Sequence, residues 1–441
     1  MGAGPDDPRP IAVSDPLVPL ASPPSTFAAL RIPLFRRLWV GGVFTFFSLQ
    51  TLFLVRGFLA FELTGTNSSL GFVYLGFGIT MVMAAPFGGV AADRLGKRRV
   101  MIVGQSLTTV FSTIIGLAII FDVISFWMLV AGSVAQGLAF AFVAPARVAF
   151  TAQIVGREQI GNGIVLMQMA LNSTRIVAPA IAGVLVGVSF IGAEGVYLVA
   201  AGFMVLSLLF TFMLPAGEPM TSVSDRPLKD LADGVAYVRS QPRLMRLMIT
   251  GVIVVMIGFG YVAFLPSLVG DVYEIVGEND RARSIGALST ARAVGAIAAT
   301  IFLARRADGP RVWLEQAHWG LGFGVSLVLL GIAPAYGVGL GIMVLAGAAS
   351  SGFQSLNNSL VLTMTDHRYH GRVQSLMMVG FGAFGIAAAP LGFIADEIGL
   401  RRTLAIMGAA IVPVVIGFLL TWNRLPQTAD HPLAGGEDRK A

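Results

Sequence analysis

The stretch Gly89-Val90-Ala91-Ala92-Asp93-Arg94-Leu95-Gly96-Lys97-Arg98-Arg99 decides the fold. It is a polar turn between two apolar segments that are each long enough to cross a bilayer. The two glycines permit a tight turn and Asp93 ends the incoming helix, while Arg94, Lys97, Arg98 and Arg99 gather a positive charge suited to an anionic leaflet.

Outward from this turn the chain is membrane-like throughout. Hydrophobic residues make up 55% and charged residues 12% of the 441 positions, against about 25% charged in a typical soluble domain, and the mean hydropathy is +0.79. Apolar runs of about 20 residues predict twelve spanning helices, near 38–61, 70–91, 99–121, 126–146, 162–189, 194–214, 246–269, 284–304, 313–333, 336–361, 373–395 and 402–422. The expected fold class is therefore an all-α membrane protein.

Basic residues test this count. With the N-terminus inside, 23 of the 30 Lys and Arg fall in cytoplasmic segments, and only Arg281, Arg283, Arg401 and Arg402 fall in external loops. Arg56, Arg175 and Arg292 lie within spans. The same bias explains the net charge of +6, so no nucleic-acid partner is implied. Cysteine is absent, which excludes disulfides and thiol chemistry. Residues 1–34 carry a proline-rich start with little apolar content and read as a disordered cytoplasmic tail, as do 423–441. Between the sixth and seventh spans, 215–245, Leu228, Leu231, Val235, Tyr237 and Val238 recur at helical spacing among charges, which suggests an amphipathic helix on the membrane surface.

The turn at Gly89–Arg99 resembles the signature loop of the major facilitator superfamily, with the acid four and the second glycine seven residues after the first glycine. Arg305-Arg306-Ala307-Asp308-Gly309-Pro310-Arg311 holds the corresponding place after the eighth span. Pro145-Ala146-Arg147, Arg157-Glu158, Gly161-Asn162, Ala178-Pro179-Ala180, Gly371-Arg372-Val373-Gln374-Ser375 and Pro390-Leu391-Gly392 look like the bacterial efflux branch that includes enterobactin-type siderophore and drug exporters. The resemblance implies two pseudo-symmetric six-helix halves, 35–214 and 246–422, with a substrate cavity between them. It also implies a cytoplasmic gate at Gly89, Asp93, Arg94, Gly96, Lys97 and Arg98, in which Asp93 pairs with Arg147 and faces the start of span 11 near Gly371 and Arg372. In proton antiporters of the family an arginine precedes the Gln-Gly pair of span 4 by three residues; here Gln136-Gly137 is preceded at that position by Ser133.

A charge near the bilayer centre costs about 2.5–3.5 kcal/mol on insertion scales, so the three arginines within spans are the first site candidates. Arg175 lies near mid-depth, and Gln168, Asn172 and Arg175 share one helical stripe. The alternative is a structural arginine bonded to the carbonyls of a broken helix. Arg292 is less deep, with Ser289 one turn away, and Arg56 is near enough to the outer end to snorkel to headgroups. Gln136, Gln354 and Asn357 could bond a substrate or each other's helices. No Asp or Glu lies near the middle of a span, which favours an anionic or zwitterionic substrate.

No enzyme motif, metal cluster or phosphate-binding loop is evident, so no cofactor is expected and transport would draw on an ion or substrate gradient. The expectation is a monomeric secondary transporter of the bacterial cytoplasmic membrane, with both termini inside, exporting an anionic or amphipathic small molecule, with proton coupling implied by the family. The alternatives are an importer of a small organic anion and a non-transporting sensor or assembly protein with this fold.

Overall fold

The computed structural model describes residues 27–186, 191–216, 227–303, 311–366 and 369–422. The proline-rich start, the C-terminal tail and the loop 305–310 lie outside these residues. Among the described residues every regular element is helical.

The first half contains α1 (Pro33–Thr64), α2 (Asn67–Leu95), α3 (Lys97–Ile120), α4 (Phe126–Val186) and α5 (Gly192–Phe212). The connecting helix α6 (Pro227–Ser240) leads into α7 (Pro242–Gly258), the single turn α8 (Leu265–Ser267), α9 (Glu278–Leu303), α10 (Val312–Ile332), α11 (Tyr336–Thr363), α12 (His370–Ile398) and α13 (Leu400–Trp422). Local sequence sets several ends. Pro33 opens α1 with a fixed φ, and Gly65 closes it at φ +65°, donating its N–H to the Phe61 carbonyl. Apolar side chains such as Met83, Val103, Trp127 and Leu420 remain exposed on outward faces, as helices surrounded by lipid require.

Ten helices among the described residues are long and apolar enough to span a bilayer, two fewer than the twelve expected. The stretch expected as span 5 is the second arm of α4, residues 157–186, joined to the first across a break at Gly156, where φ is +72°. The stretch expected as span 9 is α10, whose first turns hold Glu315, Gln316 and His318 and dilute its apolarity.

The halves meet along two seams, α2 on α12 and α4 on α9. Small residues make the first seam close: a Cβ on Gly78 would lie 2.6 Å from the Gly382 carbonyl oxygen and 2.8 Å from the Gly385 Cα. At one end Gly392 abuts Asn67 and Ser68, and towards the other the packing reaches Val82 and Gly382. Farther along α2, a Cβ on Gly89 would meet nothing within 4 Å. The halves are thus drawn together at the face carrying Asp396 and diverge towards the basic face of Asp93–Arg99. Helix α6 sits at the diverging end, packed on α12 and touching α2 and α7.

Candidate functional site

The Asp396 face is held by polar contacts between the halves. The Asp396 carboxylate on α12 accepts the N–H groups of Asn67 at 2.7 Å and Ser68 at 2.9 Å, and the Asn67 amide at 3.1 Å, at the opening turn of α2. Nearby, Arg281 on α9 pairs with Glu62 on α1 at 2.6 Å. A cavity of about 510 Å³ opens beside them, lined by Asn67, Asp271, Asp396, Arg401 and Arg402 among others. Burial holds the Asp271 carboxyl above its usual range, reinforced by the charge of Asp396 and opposed by the Ser267 hydroxyl and Arg281.

Beneath this face an aromatic cluster bridges the halves. Phe53 on α1 meets Tyr74 and Phe77 on α2 at 4.9 and 5.1 Å between ring centroids, and Phe384 on α12 at 6.2 Å. Ala263, Ala388 and Met81 pack into the same core. One turn beyond Phe53 is Arg56, which is 3% exposed. It does not snorkel. Its Nη1 donates to Ser133 and Gln136 on α4, and the Gln136 amide donates to the Leu49 carbonyl. Turning inward towards these oxygens engages the guanidinium within the bundle, whereas a residue about two turns from the Thr64 end of α1 would otherwise need to reach for headgroups. The guanidinium therefore lies against the helix face where the antiporter pattern would place an arginine at position 133.

Arg292 on α9 is half-buried. Both Arg56 and Arg292 lie within electrostatic reach of Tyr74, and Arg175 within that of Arg292. Among the described residues, the charges that reach Tyr74, Tyr197 and Tyr261 are arginines. Arg56, Arg175 and Arg292 thus form an arginine group drawn from α1, α4 and α9, of which Arg56 and Arg292 act electrostatically on Tyr74 at the interface. Gln168 is exposed, Arg175 half-buried, and the Asn172 side chain lies outside the described residues, so the stripe is not uniformly buried. Gln354 is half-buried. Asn357 accepts a hydrogen bond from Gln316 at 3.2 Å, a contact between α11 and α10. Phe53, Tyr74, Phe77 and Phe384 were not singled out from sequence. The available signal was the spacing of Tyr74 and Phe77 one helical turn apart.

At the basic face, Gly96 turns at φ +87°, where a side chain would be strained. Lys97 is buried and Arg94 exposed, and Arg98 caps α5 by donating to the carbonyls of Thr211 at 3.3 Å and Phe212 at 2.6 Å. The expected pair of Asp93 with Arg147 is not formed. Arg147 is 3% exposed and turns into the first half, donating to the Leu38 carbonyl at 3.3 Å and Thr45 at 2.8 Å beside the Phe46 ring. Thr45 belongs to a network with Gln105 and Ser207, so neutral oxygens in the bundle hold the guanidinium away from half-buried Asp93. Arg372, expected beside Asp93, lies 3.7 Å from Asp233 of α6, and Tyr237 of α6 stacks on Tyr369 at 4.0 Å.

The family model of the Major Facilitator Superfamily matches residues 38–308. The chain belongs to this superfamily. Macrolide efflux protein A of Streptococcus pyogenes is 22% identical over 87% of this chain and 94% of its own. The Enterobactin exporter EntS of Escherichia coli O6:K15:H31 is 22% identical over 82% of this chain and 87% of its own. A solved bacterial homolog to the human lysosomal transporter Spinster, inward-facing and occupied, superposes with a TM-score of 0.68 at 15% identity, covering 89% of this chain and 97% of that one. The protein is a multi-pass membrane transporter of small molecules and not an enzyme.

Proposed function

We propose that this superfamily member exports an organic anion with an aromatic or otherwise apolar body from the cytoplasm. One observation carries the reading: Arg56 and Arg292, from opposite halves, both act electrostatically on Tyr74 within an aromatic cluster, and every charge that reaches it among the described residues is an arginine. Arginine N–H groups suit carboxylate, phosphate or catecholate oxygens, and the rings suit an apolar body. Relatives named for efflux and export favour the outward direction.

In this reading the chain works as a monomer in the cytoplasmic membrane. The halves 35–214 and 246–422 rock about the arginine group, the basic face and both termini lie in the cytoplasm, and the Asp396 face looks outward. Gly89, Asp93, Arg94, Gly96, Lys97, Arg98 and Arg147 form the cytoplasmic gate, with Asp93 meeting the start of α12 once the halves close there. Proton coupling has two candidate charges. Arg175 is one, and Arg56 is the other because it bonds Ser133 itself. Gln168, Asn172, Gln136, Gln354 and Asn357 supply secondary polar contacts.

The test is flux in vesicles of defined orientation loaded with 1-naphthoate or, separately, with its cationic analogue 1-naphthylmethylamine. Export of the anion from the side of the basic face, enhanced by an imposed proton gradient, is expected. Transport of the amine alone, or entry of the anion only, would overturn the reading.

A further inference from the structure

The connecting helix α6 is docked on the second half by a closed ring of four side chains. Asp233 and Tyr237 stand one turn apart on α6, and Tyr369 and Arg372 one turn apart at the start of α12. Tyr237 stacks on Tyr369 with 4.0 Å between centroids and 7° between planes. The Arg372 guanidinium lies 5.5 Å from the Tyr369 ring centroid and 3.7 Å from the Asp233 carboxylate. The Tyr237 hydroxyl also accepts the Asp366 N–H at 2.9 Å. Gly234 is buried between these contacts, and a Cβ on it would stand 3.2 Å from the Arg372 Cβ and 3.4 Å from Leu376. The α6 backbone therefore lies directly on the first two turns of α12.

The start of α12 is also the surface that the cytoplasmic gate needs. The first N–H groups of a helix have no partner within it. In α12 the residue before the helix, Tyr369, makes no side-chain cap, and no acid stands in the first turn. These N–H groups and Arg372 together favour a carboxylate supplied from another element. Asp233 of α6 is the acid at Arg372, whereas Asp93, at the end of α2, is half-buried on the other half. Helix α6 touches α2 as well, so it occupies the gap that must shut before Asp93 meets α12.

We propose that α6 is a latch for the parted state of the basic face. While docked, it gives Arg372 to Asp233 and covers the start of α12; closure displaces it, and Asp93 takes its place. The two acids compete for one cationic, uncapped helix start, so the latch sets how often the gate shuts. This rests on the gate reading above and adds the element that opposes closure.

The test uses the full chain in lipid nanodiscs, with spin labels on introduced cysteine pairs, since the chain has no cysteine of its own. Leu95→Cys with Thr363→Cys reads closure of the basic face, and Ala232→Cys with Ile332→Cys reads docking of α6; all four positions are exposed. Two variants free the latch in different ways. Asp233→Asn with Tyr237→Ala removes its side-chain contacts, and Gly234→Leu drives a side chain against Arg372. Both are expected to detach α6 and to raise the ratio of closed to parted conformers at the basic face at least about fivefold. Adding Asp93→Asn should cancel that gain. Melting temperatures confirm that the variants fold. If α6 detaches and the ratio stays as in the wild type, or if α6 stays docked in both variants, the latch is overturned. Asp93→Asn alone separates this failure from that of the gate: a closed population below that of the wild type leaves the gate reading standing, and an unchanged one removes both.

Discussion

Replacing Asp396 with alanine is expected to loosen the face at which the halves meet. The carboxylate sits on α12 and accepts two backbone N–H groups at the opening turn of α2, together with the Asn67 amide. Those N–H groups have no partner within their own helix, so a residue of one half acts as the cap of a helix in the other. Losing such an acceptor costs about 0.5–2 kcal/mol, and losing a negative charge at a helix N-terminus about 0.3–1 kcal/mol. Asp396 is solvent-accessible, so the lower parts of both ranges apply and the sum is about 1 kcal/mol. The loss falls on the contact between halves and should raise the ratio of parted to closed conformers at this face about fivefold. The protein has no cysteine, so Thr66→Cys with Glu397→Cys provides a clean spin-label pair across the face. The longer-distance population should grow about fivefold with Asp396→Ala and less with Asp396→Asn, which keeps one carbonyl acceptor. Identical distance distributions in wild type and Asp396→Ala would refute the reasoning.

Gly78→Leu places a side chain against the backbone of Gly382 and Gly385. Overpacking of this kind costs about 1–3 kcal/mol, so the same labels should report a larger shift than Asp396→Ala, while Gly89→Ala, with open space around its Cβ, should report none. Arg147→Met removes a buried guanidinium whose partners are a carbonyl and a hydroxyl. Its effect on stability should stay within about 1.5 kcal/mol, read as a small change in melting temperature, while flux falls if the residue serves the gate. Asp271 has a raised folded pKa, so the folded state holds its proton more tightly than the unfolded chain. Its contribution to stability should fall as pH rises from the ordinary aspartate value, about 4, through the raised folded value. Asp271→Asn should remove that slope from melting temperatures measured against pH.

The turn at Gly89–Arg99 was readable because its information is local: a glycine at positive φ, a helix-ending acid and a basic cluster lie within eleven residues. Membrane class and superfamily follow from such features together with apolar run length. Partners of individual side chains were not readable. Arg56 meets Ser133 and Gln136 across 77 and 80 positions, and Asp396 meets Asn67 across 329, distances over which one chain carries no pattern. Arg147 shows the same limit. Its place at the end of the span 4 region pointed to Asp93, but Thr45 and the Leu38 carbonyl offer oxygens inside the bundle. The aromatic cluster was hidden because Phe and Tyr are frequent throughout an apolar chain, and only packing separates those at the interface from those facing lipid.

The most direct test of the central claim is counterflow of labelled 1-naphthoate in proteoliposomes bearing wild type, Arg56→Gln or Arg292→Gln, with 1-naphthylmethylamine as the cationic control. The account predicts anion exchange by the wild type above empty liposomes, loss of it in both variants despite normal folding, and no exchange of the amine. Equal exchange of 1-naphthoate by all three proteins, or exchange of the amine in its place, would contradict it.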